Sequence, residues 1–391
     1  MNEVFMSRQP LVNRQSKIIA TRLTLHLGDQ ASIVDAVSTL SALANVWPQS
    51  EKPVFISCGR TGCEAGILDW SAPDNATIEL PATTLVGQAG PDVIAALQTF
   101  QPTICLHFDP QAAQALSAGV QFRFIGFDAH QFQLGQLKLL TARTRTYGIG
   151  IAFNVETSEQ FRACLEAGIT AAAGWFFTSP TGVPAKALSP GQANIVRVLN
   201  LVRQNADIRE IEAALKLDVA ISYKLLRYIN AAGFGLSCEI QSFRHAVNML
   251  GYEKLNRWLS LLLGTASKDP MAPALMHTAL LRARLMELLA SGLVDKSEYD
   301  NLFITGAFSL LDVLLGVGME QALEAMRLPE PICDALLSNG GRYQPFLDLA
   351  VASEADDGEA IADQAAMLGL TADQFNRAQL QALTFADAME L

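Results

Sequence analysis

The feature that most constrains this chain is a change of pattern near residue 180. Before it, short apolar runs typical of β-strands alternate with segments whose apolar residues recur at helical spacing. The strand-like runs are Val4–Met6, Lys17–Leu25, Val54–Cys58, Thr77–Leu80, Thr103–Phe108, Phe122–Asp128, Gly148–Phe153 and Ala171–Phe177. Alternating strands and helices indicate βα units and a parallel sheet. Repeated to closure they form a (β/α) barrel, although the periodicity also fits a doubly wound sheet.

The predicted helices explain how a barrel could fit into so short a segment. They cover Ile33–Trp47, Pro91–Phe100, Gln111–Ala118, Gln133–Tyr147 and Ser158–Ala167. Barrels usually need a longer chain, so we expect some helices to be small or missing. Glycine and proline then break the pattern at Gly182, Pro184, Pro190 and Gly191. Beyond this point only helical periodicity continues. We therefore predict an α/β barrel domain over residues 1–182 and an all-α domain over residues 183–391.

Composition excludes several classes of function. Among 391 residues, 17% are charged and the formal net charge is −11, which argues against a nucleic-acid surface built from clustered Lys and Arg. No stretch reaches the roughly 18–20 apolar residues of a membrane helix, and the N-terminus lacks the pattern of a signal peptide. The six cysteines are scattered, and Cys58 and Cys63 do not form a CxxC pair. We expect a cytoplasmic protein with free thiols.

Two segments at the end of the predicted barrel resemble a known family. Residues 152–157 read Ala-Phe-Asn-Val-Glu-Thr, and residues 172–180 read Ala-Ala-Gly-Trp-Phe-Phe-Thr-Ser-Pro. They are similar to the last strand ends of EAL domains, the barrels that hydrolyse cyclic di-GMP. The opening Phe5–Leu11 also resembles the EAL subgroup that carries an HDOD domain. The resemblance implies divalent ions held by carboxylates at the C-terminal strand ends, as hard cations require.

Most of the implied metal ligands are replaced in this chain. Arg22 stands where the family has its signature Glu, and a permanent cation there repels a metal ion. His26 stands at the position of the Arg that contacts the substrate phosphate. The acids retained are Glu79, Asp128 and Glu156, which could bind a ligand or simply accept hydrogen bonds at strand ends. The candidate ligand-binding residues are Glu79, Asp128, Glu156, Arg22 and His26, with no catalytic residue, no metal site and no cofactor. His107 and His26 could pair as metal ligands or be satisfied separately.

The second half resembles the HDOD domain, a helical relative of the HD phosphohydrolases. The resemblance is carried by Lys224–Ala232, His245–Gly251, Phe303–Asp312 and Gly340–Tyr343. HD enzymes bind metal through an adjacent His-Asp pair, and no such dipeptide occurs in this chain. The resemblance therefore implies a domain that binds other proteins. The helical spacing of Arg284 and Glu287 also permits an ion pair.

Together these features predict a signalling protein without enzymatic activity. Its degenerate EAL-like barrel would act as a scaffold, and its HDOD helices would bind protein partners. The alternative is an effector that binds cyclic di-GMP or another nucleotide without hydrolysing it. A homodimer formed through the barrel fits the resemblance, since EAL domains often pair.

Overall fold

The computed structural model describes most of the chain as two compact units. The described residues are 3–28, 30–59, 62–179, 188–216, 243–264, 267, 269–324, 326 and 328–389. The first unit joins Met1–Phe177 with Val351–Leu380, and the second joins Thr178–Ala350 with Gln381–Leu391. Among the described residues, no helix combines the length and apolar character that crossing a bilayer requires.

Eight strands close into a barrel in the first unit. They are β1 (Val4–Asn13), β2 (Ile18–Leu27), β3 (Val54–Ser57), β4 (Ala76–Pro81), β5 (Ile104–His107), β6 (Phe124–Asp128), β7 (Ile149–Phe153) and β8 (Ala171–Ala173). Pairing is parallel from β2 to β8, whereas β1 runs antiparallel to both of its neighbours. The predicted α/β barrel is confirmed, and closure decides against a doubly wound sheet.

The antiparallel first strand departs from the all-parallel sheet that the sequence indicated. A tight turn joins β1 to β2: the amides of Gln15 and Lys17 donate to the side-chain oxygen of Asn13, and Ser16 adopts a positive φ of 58°. Such a turn leaves no room for a crossover helix, and strands joined by a tight turn must run antiparallel. The predicted strand Val4–Met6 was also too short, because the run continues to Asn13.

Short helices cover the outside of the barrel, as expected for so short a segment. They are α1 (Ile33–Ala42), α2 (Ala82–Val86), α3 (Gly90–Phe100), α4 (Ala112–Ala115), α5 (Leu134–Thr144) and α6 (Ser158–Glu166), with 3₁₀ turns at Ala44–Val46 and Ala65–Asp69. Inside the barrel, Phe55 packs against Phe124 and Phe153 with ring centroids 4.9 and 6.3 Å apart. Phe55 and Phe124 come from the N-terminal parts of β3 and β6, whereas Phe153 is the last residue of β7 and borders the polar side chains there.

The rest of the described chain is helical, as predicted. Its helices are α7 (Pro190–Arg203), α8 (Ile208–Lys216), α9 (Phe243–Gly264), α10 (Ala272–Leu289), α11 (Tyr299–Phe308), α12 (Leu311–Leu315), α13 (Met319–Glu324), α14 (Glu330–Leu336), α15 (Gln344–Ala352), α16 (Gly358–Met367) and α17 (Ala372–Ala388). The expected ion pair forms, with Arg284 Nη1 2.6 Å from Glu287 Oε2. The segment Lys224–Ala232 lies outside the described residues.

Residues 351–380 complete the barrel unit, although the sequence assigned them to the helical domain. Along β1, strand β8 reaches only Leu11–Asn13, so the first half of β1 lacks a strand neighbour on that side. Side chains of α17 take its place. The Asn376 side chain accepts from the Met6 amide and donates to the Val4 carbonyl, and Gln379 donates to the Met6 carbonyl. Buried backbone groups need such partners. The division at residue 182 stays a prediction, while the compact units divide the chain differently.

A buried ion pair fastens the same segment to β1. Arg8, 2% exposed, places Nη2 2.7 Å from Glu354 Oε1. Its Nη1 donates to Ser353 and Gln379. A charged pair of this kind is strongly destabilised when either partner is removed, because the other charge then stays buried alone.

Candidate functional site

Arg22 lies inside the barrel and is fully buried. Its Nε donates to both carboxylate oxygens of Glu79, at 2.9 and 3.1 Å, and its Nη2 donates to Oε2 at 2.9 Å. Burial alone lowers the pKa of Arg22, but the neighbouring carboxylate outweighs it and holds the pKa above its ordinary value. The guanidinium also donates to Ser57 Oγ at 3.1 Å and to the Gly59 carbonyl at 3.4 Å. Arg22 is therefore saturated by protein partners.

Glu79 is the acceptor that connects this group. Its Oε2 lies 2.8 Å from His107 Nε2 and also accepts the hydrogen bond from Arg22 Nη2. Burial raises the pKa of Glu79, while Arg22 and then His107 lower it, and the balance leaves the pKa at about 2. Glu79 is thus an anion at neutral pH. Of the predicted site residues, the structure brings Arg22 and Glu79 together.

Phe153 packs against the same group. Its ring lies 4.6 Å from the Arg22 guanidinium carbon, measured to the ring centroid, and stacks on His107 at 4.9 Å with an interplanar angle of 12°. A Cβ at Gly126 would come within 2.4 Å of Phe153 Cε2, so only glycine fits beside the ring. Gly126 and Phe153 therefore belong to one packed cluster with Arg22, the residue that replaces the signature Glu of the EAL pattern.

This cluster does not fit the divalent metal that the resemblance implies. The Glu79 carboxylate already accepts hydrogen bonds on both oxygens, and the cation it binds is the Arg22 guanidinium. In the part of the chain that the structure describes, no group of three or more His, Cys, Asp or Glu side chains is arranged to hold a metal ion.

A second polar group lies at the C-terminal ends of β6 and β7. Asp128 Oδ2 accepts from Asn154 Nδ2 at 3.1 Å, and Asp128 Oδ1 accepts from the His130 amide at 2.9 Å. His130 Nε2 lies 3.2 Å from Glu156 Oε1, and these two side chains are 38% and 66% exposed. The structure therefore brings the predicted Asp128 and Glu156 together through His130, in contact with solvent.

His26 belongs to neither group. Its Nε2 lies 2.8 Å from Ser7 Oγ and 3.9 Å from Asp356 Oδ1. Burial lowers the pKa of His26, while Asp356 and Asp357 raise it less strongly. A phosphate bound at His26 would lie near the like-charged carboxylates of Asp356 and Asp357. His26 and His107 have separate partners, which supports the alternative of independently satisfied histidines.

Two contributors were missed from the sequence, His130 and Asn154. His130 lies two residues after Asp128, and Asn154 lies two residues before Glu156, each just beyond the end of a strand. Because neighbouring parallel strands end at the same edge of the barrel, polar residues in the first positions after β6 and β7 should have been grouped with Asp128 and Glu156. Asn154 also adopts a positive φ of 57°, which Asn tolerates better than most residues.

Residues 190–315 match the family model of the HDOD domain. The chain carries an HDOD domain. It is 30% identical over 233 residues to cyclic di-GMP phosphodiesterase CdgJ of Vibrio cholerae, covering 59% of this chain and 54% of that protein. It is 27% identical over 225 residues to the uncharacterized protein YuxH of Bacillus subtilis, covering 54% of each. The chain therefore spans about half the length of these curated relatives.

Several solved structures align with part of this chain at low TM-scores. A Klebsiella pneumoniae BlrP1 complex with manganese and cyclic di-GMP aligns at a TM-score of 0.36 and 16% identity, over 45% of this chain and 55% of that one. The FimX EAL domain of Pseudomonas aeruginosa bound to cyclic di-GMP aligns at 0.34 and 13%, over 46% and 90%. A putative phosphohydrolase from Shewanella amazonensis aligns at 0.39 and 14%, over 52% and 95%. The predicted order, a barrel followed by a helical HDOD domain, is confirmed.

The prediction that the chain is not an enzyme is contradicted. Its relative CdgJ, at 30% identity, is named a cyclic di-GMP phosphodiesterase. The prediction relied on the replacement of expected metal ligands at individual strand ends, above all on Arg22 at the position of the signature Glu. Barrel sites are assembled from several strand ends and the loops that follow them, so a loss at one end does not decide the activity of the whole site.

Proposed function

We propose that this chain acts in cyclic di-GMP signalling, with the barrel binding the nucleotide and the HDOD domain binding a protein partner. The observation that carries the proposal is the 30% identity to a protein named a cyclic di-GMP phosphodiesterase. A barrel joined to an HDOD domain supports it. Because the chain covers 54% of that relative, its own substrate and partners must be tested directly.

The group of Asp128, His130, Asn154 and Glu156, in which His130 and Glu156 are exposed, is the part of the barrel best suited to a nucleotide. Its carboxylates can accept hydrogen bonds from the amino and imino groups of guanine or from ribose hydroxyls. The Asn154 amide offers both a donor and an acceptor. Arg22 and Glu79 are instead buried and fully used by each other and by His107. We therefore place the nucleotide at the ends of β6 and β7.

Calorimetric titration of the full chain with cyclic di-GMP tests this placement. We expect saturable binding by the natural chain and at least a tenfold loss in the double variant Asp128→Asn, Glu156→Gln, because each removes a charged acceptor worth about 1.5–3 kcal/mol. Glu159→Gln is the matched control, since Glu159 is exposed on α6 and pairs only with Arg162 among the described contacts. Binding that the double variant leaves unchanged contradicts the placement, and no heat with the natural chain contradicts the proposal.

Hydrolysis of cyclic di-GMP is a second candidate, favoured by the printed name of CdgJ. Product formation by the purified chain with Mg²⁺ or Mn²⁺, proportional to protein concentration and lost in Asp128→Asn, supports it. Binding without any turnover in this assay rejects hydrolysis and leaves the signalling proposal intact.

The helical domain is proposed as the site of protein contact. A groove along α7 is lined by the apolar side chains of Leu188, Ala193, Val196 and Leu201 and by the polar side chains of Arg197, Asn200 and Gln204. Pairing of two chains through the barrel stays a prediction, and light scattering of the full chain at several concentrations distinguishes monomer from dimer.

A further inference from the structure

Two cysteines that the sequence left as separate free thiols meet in the loop after β3. Cys58 directly follows β3, and Cys63 lies five residues later in the chain. Their Sγ atoms are 2.8 Å apart. Non-bonded carbon atoms in contact lie roughly 3.5–4.0 Å apart, and a disulfide bond measures about 2.05 Å. The two sulphur atoms therefore lie between the length of a disulfide bond and an ordinary non-bonded contact.

The barrel holds both ends of this loop in place. The Cys63 amide donates to the Glu79 carbonyl at 2.7 Å, and Cys63 Sγ lies 3.6 Å from the Ile56 carbonyl oxygen. Gly62 has a φ of +99°, and a Cβ there would come within 2.7 Å of the Glu79 carbonyl oxygen. At the other end, Ser57 Oγ donates to the Gly59 carbonyl at 2.6 Å. These contacts hold the backbone next to each cysteine, which keeps the two sulphur atoms close together.

We propose that Cys58 and Cys63 form a redox-active dithiol, a modification site that closes to an intramolecular disulfide by exchange with low-molecular-weight disulfides. Transient disulfides are the kind found in reducing compartments, where they serve catalysis or redox sensing. The proposal rests on the loop geometry alone and does not depend on the function proposed above.

The two thiols have different roles in the exchange. Cys58 is half-buried and accessible, whereas Cys63 is only 1% exposed. Burial, followed by the neighbouring Cys58, raises the pKa of Cys63 well above its usual range. Cys58 is therefore the thiol that reacts first, because exchange begins with an accessible thiolate.

The exchange balances in two steps. The Cys58 thiolate attacks one sulphur of oxidised glutathione, forming a mixed disulfide and releasing one glutathione thiolate. Cys63 then loses its proton to solvent and attacks the Cys58 sulphur, so the bond to glutathione breaks and a second glutathione thiolate leaves. Both cysteines are oxidised, both sulphurs of the glutathione disulfide are reduced, and the two thiolates take up the protons released.

Closure fixes the loop against the buried ion pair. The Gly59 carbonyl accepts from Arg22, and the Cys63 amide donates to the Glu79 backbone. A disulfide between positions 58 and 63 would therefore connect the backbone segment that contacts Arg22 to the segment that contacts Glu79. Because a crosslink restricts the unfolded chain, the oxidised protein should unfold at a higher temperature than the reduced protein.

The test uses the full chain, first reduced and then incubated with oxidised glutathione before free thiols are blocked with N-ethylmaleimide. Trypsin cleaves after Arg60, which lies between the two cysteines in the sequence, so a disulfide leaves the two resulting peptides joined. We expect joined peptides that separate on reduction. In Cys63→Ser the reaction should stop at the mixed disulfide, leaving one glutathione on Cys58.

Two controls make the outcome decisive. Cys333→Ser removes a half-buried thiol of the helical unit and should leave the joined peptides unchanged. Cys58→Ser should take up no glutathione at Cys63. The proposal is overturned if the natural chain ends with glutathione on Cys58 beside an unreacted Cys63, or if both cysteines are blocked by N-ethylmaleimide after the incubation. Circular dichroism confirms that each variant is folded.

Discussion

Replacing Glu79 with Gln should destabilise the barrel more than almost any other change from Glu to Gln in this chain. The substitution keeps the shape of the side chain but removes its charge, while the Arg22 guanidinium stays fully buried. Breaking a buried ion pair at one partner costs about 3–5 kcal/mol. The pKa of Glu79 gives a second figure: lowering it from an ordinary 4.5 to about 2 corresponds to about 3 kcal/mol.

The sign of the pH dependence follows from the same shift. Because the pKa of Glu79 is depressed in the folded chain, its stabilisation is fully present above pH 4.5, the ordinary pKa, and is lost as the pH falls through about 2. The free energy of unfolding of the natural chain should therefore fall over this acid range. In Glu79→Gln that part of the fall should be absent.

Urea unfolding followed by tryptophan fluorescence measures the effect. Three of the four tryptophans, Trp47, Trp70 and Trp175, lie in the barrel unit and report on it. The double variant Arg22→Met, Glu79→Gln should lose less than Glu79→Gln alone, because it leaves no unpaired buried charge. Glu159→Gln, in an exposed pair, should be neutral. A Glu79→Gln variant within about 0.5 kcal/mol of the natural chain would refute the reasoning.

Three further substitutions or truncations test the packing. Gly126→Ala should cost about 1–3 kcal/mol in the same unfolding assay, since its Cβ would lie 2.4 Å from Phe153 Cε2, and Phe153→Leu should restore part of the loss. Gly174→Ala should give insoluble or unfolded protein on expression, because φ is +150° and the Cβ would lie 1.9 Å from the Val155 carbonyl oxygen; a soluble variant with unchanged stability contradicts this. Deleting residues 351–391 should leave a barrel that exchanges its β1 amides rapidly with deuterium, and slow exchange of those amides would show that the segment is dispensable.

The barrel could be predicted from the sequence because its signals are local. Each βα unit carries its own apolar run and helical period. The strand-end motifs around Glu156 and Gly174 also resemble those of EAL domains. Position 174 needs a glycine, because the backbone there closely approaches the Val155 carbonyl. The antiparallel β1 was missed because a strand's direction depends on the turn that precedes its partner.

The candidate site was predicted only in part because side-chain pairing depends on register across strands. Arg22 and Glu79 are 57 positions apart, and their contact follows from how β2, β3 and β4 align. The role of residues 351–380 was hidden for a similar reason. Asn376 and Gln379 look like the solvent face of an amphipathic helix, and only their bonds to β1 show that they are buried.

A crystal structure of the full chain grown with cyclic di-GMP and Mg²⁺ tests the central claim most directly. We expect guanine or ribose atoms at hydrogen-bonding distance, about 2.7–3.2 Å, from Asp128 and Glu156, with the pair of Arg22 and Glu79 intact. Nucleotide density at another place in the chain, or Arg22 turned away from Glu79 to hold a phosphate, would contradict it.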